Sequence, residues 1–156
     1  MPQAAPSGKR LADDPLNQRR LALIFLSAVL AAITLTVFLA AAGRPEAIAL
    51  YAAFGPFCHQ QIERTWMLAS HPLPVCVRCF GFYAGALAAT ALGLRFSMRL
   101  LCISVGFALV TFIAEIAAFW TAPGALRWLS GVLLGWSLVS PLAGTAQRRS
   151  EVLRKA

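Results

Sequence analysis

The sequence predicts an all-α fold, an integral membrane bundle of four helices, and three observations carry that expectation. Apolar residues make up 59% of the chain and charged residues 13%, with a mean hydropathy of +0.70. A soluble domain of 156 residues leaves too much of its surface in water to hide that apolar fraction. The apolar residues also gather into four long runs, with Lys and Arg at the ends of those runs rather than along one face. The net charge of +8 is therefore read as topological, and a nucleic-acid-binding surface is not expected.

Residues 1–20 are polar, hold three prolines and read as a disordered cytoplasmic tail. Leu21 to Ala42 is 22 residues without a charge. At 1.5 Å per residue it reaches ~33 Å, enough to cross a hydrocarbon core of ~30 Å. Ala40-Ala41-Ala42 resembles a cleavage site, but the run is longer than a signal-peptide core, so it reads as an uncleaved anchor. A loop at 43–74 follows; within it Pro45 to Phe57 is apolar but too short to cross, and is expected at the interface. The second span is placed at 75–94, with Pro74 at the helix start and Cys76, Arg78 and Cys79 in the first turn. The third, at 100–120, contains one acidic residue, Glu115. The fourth, at 126–144, has Arg127 at its edge, and 145–156 reads as a basic cytoplasmic tail. Residues 21–144 thus form one membrane domain.

With both termini inside, Lys9, Arg10, Arg19, Arg20, Arg95, Arg99, Arg148, Arg149, Arg154 and Lys155 face the cytoplasm. Arg44, Arg64, Arg78 and Arg127 face out, and that asymmetry favours a multi-pass protein of the cell inner membrane with N-terminus and C-terminus cytoplasmic. Trp120 and Trp128 then lie at the outer interface. Gly81, Gly85, Ala89 and Gly93 repeat every four residues on the second span, as Gly131 and Gly135 do on the fourth, which suits close helix contact in lipid. The bilayer is the expected partner; a homo-oligomer or contact with other membrane proteins is left open.

The chemistry concentrates in three cysteines within 22 residues, Cys58 followed by His59, then Cys76 and Cys79. Positions i and i+3 share a helix face, which Tyr83 also joins. Thiols at a helix N-terminus beside Arg78 are expected to ionise readily. Cys58, His59, Cys76 and Cys79 supply enough N and S ligands for tetrahedral zinc, with His71 the alternative fourth ligand. Adjacent residues on a regular helix point about 100° apart, so Cys58 and His59 could share an ion only where the chain is irregular. The same thiols fit a membrane thiol–disulfide oxidoreductase using Cys76 and Cys79, with Cys58 as a further thiol. A structural or accessory subunit with a stapled loop is the third reading. Cys102, near the inner end of the third span and a membrane thickness from the other thiols, reads as packing. Glu115 and Arg127 are expected either to pair and fix two helices, or to line a pocket under the cysteines that handles protons or an anion, with Arg64 a third cation. Gly-rich phosphate loops, hydrolase elbows and paired catalytic carboxylates are missing from the sequence.

Cys58-His59-Gln60, Arg64-Thr65-Trp66 and Pro74-x-Cys76-x-Arg78-Cys79-x-Gly81-x-Tyr83-x-Gly85 together resemble the signature of domain of unknown function 2085, a family of small bacterial and archaeal membrane proteins. The resemblance extends over residues 50–140, through Glu115, where the pattern expects aspartate, to Arg127, Gly131 and Gly135. It implies a shared site of Cys58, His59, Cys76, Arg78 and Cys79. It implies no activity, because the family has none assigned.

Overall fold

The computed structural model describes residues 15–93, 97–117 and 122–155. The apolar runs form helices whose limits are set by local capping chemistry. Helix α1 covers Pro15–Ala41, α2 Glu46–Phe54, α3 Val77–Leu92, α4 Met98–Ile116 and α5 Gly124–Lys155. Between α2 and α3 lie a 3₁₀ turn at Ile62–Arg64 and a small antiparallel hairpin, β1 (Met67–Leu68) with β2 (His71–Pro72).

Helix α1 starts six residues earlier than the hydropathy pattern predicts, so Pro15–Arg20 are helical rather than tail. Proline fits the first helical position, where its missing N–H is no loss. Arg19 then donates from Nε to the Thr90 carbonyl (3.0 Å) and from Nη2 to the Ala91 carbonyl (2.8 Å), closing the end of α3. The other end of α1 stops at Gly43, whose φ of +66° is left-handed. There Gly43 N–H reaches Ala40 O and Arg44 N–H reaches Leu39 O, the double closure of a Schellman motif.

The second apolar run forms a shorter helix than 75–94. Cys76 is extended (ψ 158°) and caps α3, its sulfur accepting from Cys79 N–H at 3.5 Å, so Pro74, Val75 and Cys76 stay in the loop. At the far end Gly93 turns left-handed (φ +63°) and stops α3 instead of continuing the small-residue face. The third helix ends at Ile116 and not at 120, which puts Glu115 in its last turn. The fourth has no break at 144: apolar segment and basic tail form one helix to Lys155. Trp120, Arg95 and the tail at 1–14 lie outside the described residues.

Helices α1, α3, α4 and α5 run up and down in turn. Arg19 at the start of α1 meets the end of α3, and Arg78 at the start of α3 meets Glu115 at the end of α4. By length and apolar composition α1 and α4 can each cross a membrane. Val77–Leu92 and the apolar segment Gly124–Val139 are shorter.

Glycine brings α3 and α5 into backbone contact. A Cβ added at Gly81 or Gly85 would lie 2.4 or 2.1 Å from the carbonyl oxygens of Trp128 and Val132. One added at Gly131 or Gly135 would lie 2.0 Å from the carbonyl oxygens of Arg78 and Phe82. Each helix therefore fits its backbone into the other's small-residue face, the arrangement that favours association in lipid. Helix α4 joins α5 through the Ser104–Ser137 hydroxyl pair at 2.7 Å. On the opposite side, Ile33 and Val37 of α1 pack with Cys58, Leu73 and Val75, pinning the 43–76 connection over the bundle end.

Candidate metal centre and its charged cavity

The connection carrying Cys58 is held by its own hydrogen bonds. Cys58 N–H closes onto Phe54 O at 3.0 Å, at the end of α2. Gln60, left-handed at φ +49°, turns the chain and donates its side-chain amide to Tyr51 O at 2.6 Å. The Tyr51 hydroxyl donates to Pro72 O, tying α2 to the hairpin. The hairpin reverses through Ala69 and Ser70, both at positive φ as a two-residue turn requires, and Leu73 N–H returns to Trp66 O. Buried Leu73, Pro74 and Val75 then deliver Cys76 to the head of α3.

The sulfurs of Cys58, Cys76 and Cys79 all lie within 4.8 Å of one another. Zn–S bonds of ~2.3 Å with tetrahedral angles put sulfurs about 3.8 Å apart, so a small contraction would seat one ion. Backbone N–H groups already point at the sulfurs: Cys76 N–H meets Cys58 Sγ at 3.1 Å, and Cys79 N–H meets Cys76 Sγ. Hydrogen bonds of this kind favour the ionised thiolate. Outside the helix, the Cys76 thiol is lowered to about 5, first by the hydrogen bond from the Cys79 thiol and further by backbone donors, against the opposing effect of burial.

Neither histidine belongs to the three-sulfur group. His59 is exposed, and although it lines the same cavity, its ring is not part of the three-sulfur group. His71 sits on β2 opposite Leu68. Tyr83 packs against the core cluster that holds Cys58. Cys102 is exposed on α4, which corrects its reading as a packing residue; the hydroxyl of Ser104, two residues on, faces the bundle instead.

A cavity of about 360 Å³ adjoins the cysteines, at the bundle end where α3 and α5 begin and α4 finishes. Glu115, its side chain only 2% exposed, is the hub of the charged wall. Arg127 Nε donates to Oε1 at 2.8 Å, Arg78 Nη2 approaches the same oxygen at 3.5 Å, and Arg64 Nη1 stands 3.9 Å from Oε2. The expected Glu115–Arg127 pair is therefore present, and both further cations converge on it. Oε2 accepts no hydrogen bond among the described residues. Three guanidiniums against one carboxylate leave the wall cationic.

Sequence reasoning missed what orients Arg78. Its Nε reaches Ser130 Oγ (3.3 Å), its Nη2 reaches Thr111 Oγ1 (3.4 Å), and its guanidinium lies 5.8 Å from the Phe112 ring centre. Hydroxyl side chains inside apolar runs were the available signal, since such residues often join helices in lipid.

Membrane-length apolar helices, a cluster of three free thiols and a buried carboxylate among arginines define a small all-helical protein of membrane type. The chain belongs to the DUF2085 family, described as "Predicted membrane protein", whose model matches residues 58–140 and so takes in the whole cluster and its charged wall. An uncharacterized protein of Methanocaldococcus jannaschii is 45% identical over 40 residues, 26% of this chain and 26% of that protein. The chain therefore matches about a quarter of that relative's length. No solved structure matches.

Proposed function

We propose that this protein is a four-span membrane protein that holds zinc through Cys58, Cys76 and Cys79, with the fourth position open to the arginine-lined cavity. The observation that carries the reading is the convergence of sulfurs from two separated stretches to within 4.8 Å at the mouth of that cavity. Thiolates favour a soft or borderline ion, and zinc accepts tetrahedral sulfur ligation without redox chemistry. Three protein ligands with one free position is the pattern of catalytic rather than closed structural sites. A water in that position would keep the site of the catalytic type, whereas His59, from the cavity wall, would close it as a structural one. The bundle crosses the inner membrane with both termini cytoplasmic and the cluster outside. α3, ~24 Å long, crosses by local thinning of the bilayer around it.

Metal analysis of detergent-purified protein tests this directly. About one zinc per chain is expected, lost in Cys58→Ser, Cys76→Ser and Cys79→Ser. An unmutated protein without stoichiometric metal ends the reading.

One observation favours a second reading, thiol–disulfide exchange. Cys76 caps a helix, its sulfur accepts from Cys79 N–H, and its thiol ionises easily. Its thiolate would attack a partner disulfide and release one partner thiolate; Cys79, giving up its proton to a departing partner thiolate, would then attack Cys76 Sγ and displace the second, leaving Cys76 and Cys79 oxidised and the partner reduced. An alkylation gel shift that reports reversible oxidation in cells supports this; thiols that never oxidise exclude it.

A further inference from the structure

Beside the polar cavity lies a second, apolar one. A groove of about 310 Å³ is bounded by Val105, Ala108, Leu109 and Phe112 of α4, Leu134 of α5 and the Arg78 side chain. Arg78 and Phe112 line both cavities, so groove and cavity adjoin. Apart from Arg78, the groove wall is hydrocarbon. Leu109 and Val105 are 52% and 36% exposed, on a face of α4 that is apolar along its length.

The geometry follows the membrane normal. The polar cavity sits at the bundle end, where Glu115 is in the last turn of α4 and Arg127 in the first turn of α5. Val105 lies eleven residues back from Ile116, and Leu134 ten residues on from Gly124. At 1.5 Å per residue both are ~15 Å deeper, halfway through a ~30 Å hydrocarbon core. A cationic recess at interface depth thus continues into an apolar channel running down between two helices. A lipid presents the matching pattern, an anionic head at the interface and a chain descending from it. A soluble oxyanion would use the first cavity and leave the groove without a role.

We propose that the joined cavities bind an anionic membrane lipid, its head group against Arg64, Arg78 and Arg127 and one chain in the groove between α4 and α5. Arg64, the outermost and loosest of the three guanidiniums, closes over the head. The arginines supply planar forks suited to phosphate oxygens. Phe112, at the junction, separates head from chain. This extends the reading of the polar cavity, placing an amphiphilic ligand beside the sulfur cluster, and does not need the ion to be bound.

The test is native mass spectrometry of the full chain, released from detergent containing equal phosphatidylglycerol and phosphatidylcholine. One phosphatidylglycerol adduct per chain should survive in preference to phosphatidylcholine. Arg64→Gln should lower its retention about fivefold, the effect of one surface-proximal cation on an anionic lipid. Leu109→Trp should abolish retention by filling the groove without altering charge, and Val105→Trp gives a second obstruction deeper down. Both positions face outward, so the bundle should tolerate the larger side chain. Equal retention of the two lipids, or retention unchanged in both obstructed variants, overturns the proposal. So does displacement of the question to inorganic phosphate, if phosphate binds with Arg64 dependence while no lipid is held. Zinc is measured on the same samples: lipid retention without zinc would sink the metal reading alone, and zinc without lipid retention would sink this one alone.

Discussion

Gly131→Ala tests whether helix contact sets the geometry of the sulfur cluster. The new Cβ would lie 2.0 Å from the Arg78 carbonyl oxygen, 2.9 Å from its carbon and 3.0 Å from Phe82 N. Real Cβ atoms essentially never come closer than 3.0 Å to such atoms, and these obstacles are backbone, so no side chain can rotate aside. The head of α3 must therefore move away from α5 by about 1 Å, within the range where overpacking costs about 1–3 kcal/mol. Arg78 and Cys79 sit on that turn, between the sulfurs and Glu115. Displacing such supporting geometry typically lowers metal affinity about 10–100-fold. Two measurements on protein in one detergent check this: thermal unfolding followed by tryptophan fluorescence, and zinc affinity by chelator competition. Gly106→Ala is the control, because nothing lies within 4 Å of its added Cβ on α4. It should be neutral or stabilise by up to about 1 kcal/mol through helix propensity. If Gly131→Ala matched the unmutated protein in both stability and zinc affinity, the claim that α3–α5 contact positions the site would be wrong.

Four further outcomes are expected. Glu115→Gln removes the one carboxylate among three arginines and should destabilise by about 2–4 kcal/mol, below the full penalty of a broken buried pair because the arginines keep some water. Arg64→Gln, whose side chain is 37% exposed and 3.9 Å from Glu115, should cost less than about 1 kcal/mol in the same denaturation assay. In metal-free protein, Cys76 is a thiolate above pH about 5, so its alkylation rate should stay nearly level from pH 8 to 6 and fall below 5. An ordinary thiol near pKa 8.5 would lose about tenfold per unit across that range, and such a slope would refute the lowered value. Finally, Glu63→Cys, on the exposed 3₁₀ turn, should react with a membrane-impermeant maleimide only from outside the cell. Labelling only from the cytoplasmic side would invert the proposed orientation.

The helical, membrane-type character of this chain was readable from the sequence because hydropathy is a local sum: Leu21 to Ala42 is apolar whatever it packs against. Helix limits were less readable, because single atoms decide them. The Cys76 sulfur stops α3 from starting at Val75, and the Arg19 guanidinium, in a stretch that looked like tail, closes its other end. Gly93 matched the four-residue repeat but ends the helix, since spacing alone does not report φ.

At the site, residue types and the Cys-x-x-Cys spacing were enough to nominate Cys58, Cys76 and Cys79, and a lone carboxylate in an apolar run singled out Glu115. Tertiary structure alone decided that Cys58, and not its neighbour His59, turns to the sulfur pair, because Gln60 and Tyr51 fix the loop's twist. It also decided that the glycines of α3 seat against α5, and that Arg64, Arg78 and Arg127 meet on one carboxylate. Contacts between positions as far apart as 64, 78, 115 and 127 depend on how whole helices pack, and packing is set by the summed shape of facing surfaces, which no short stretch of sequence contains.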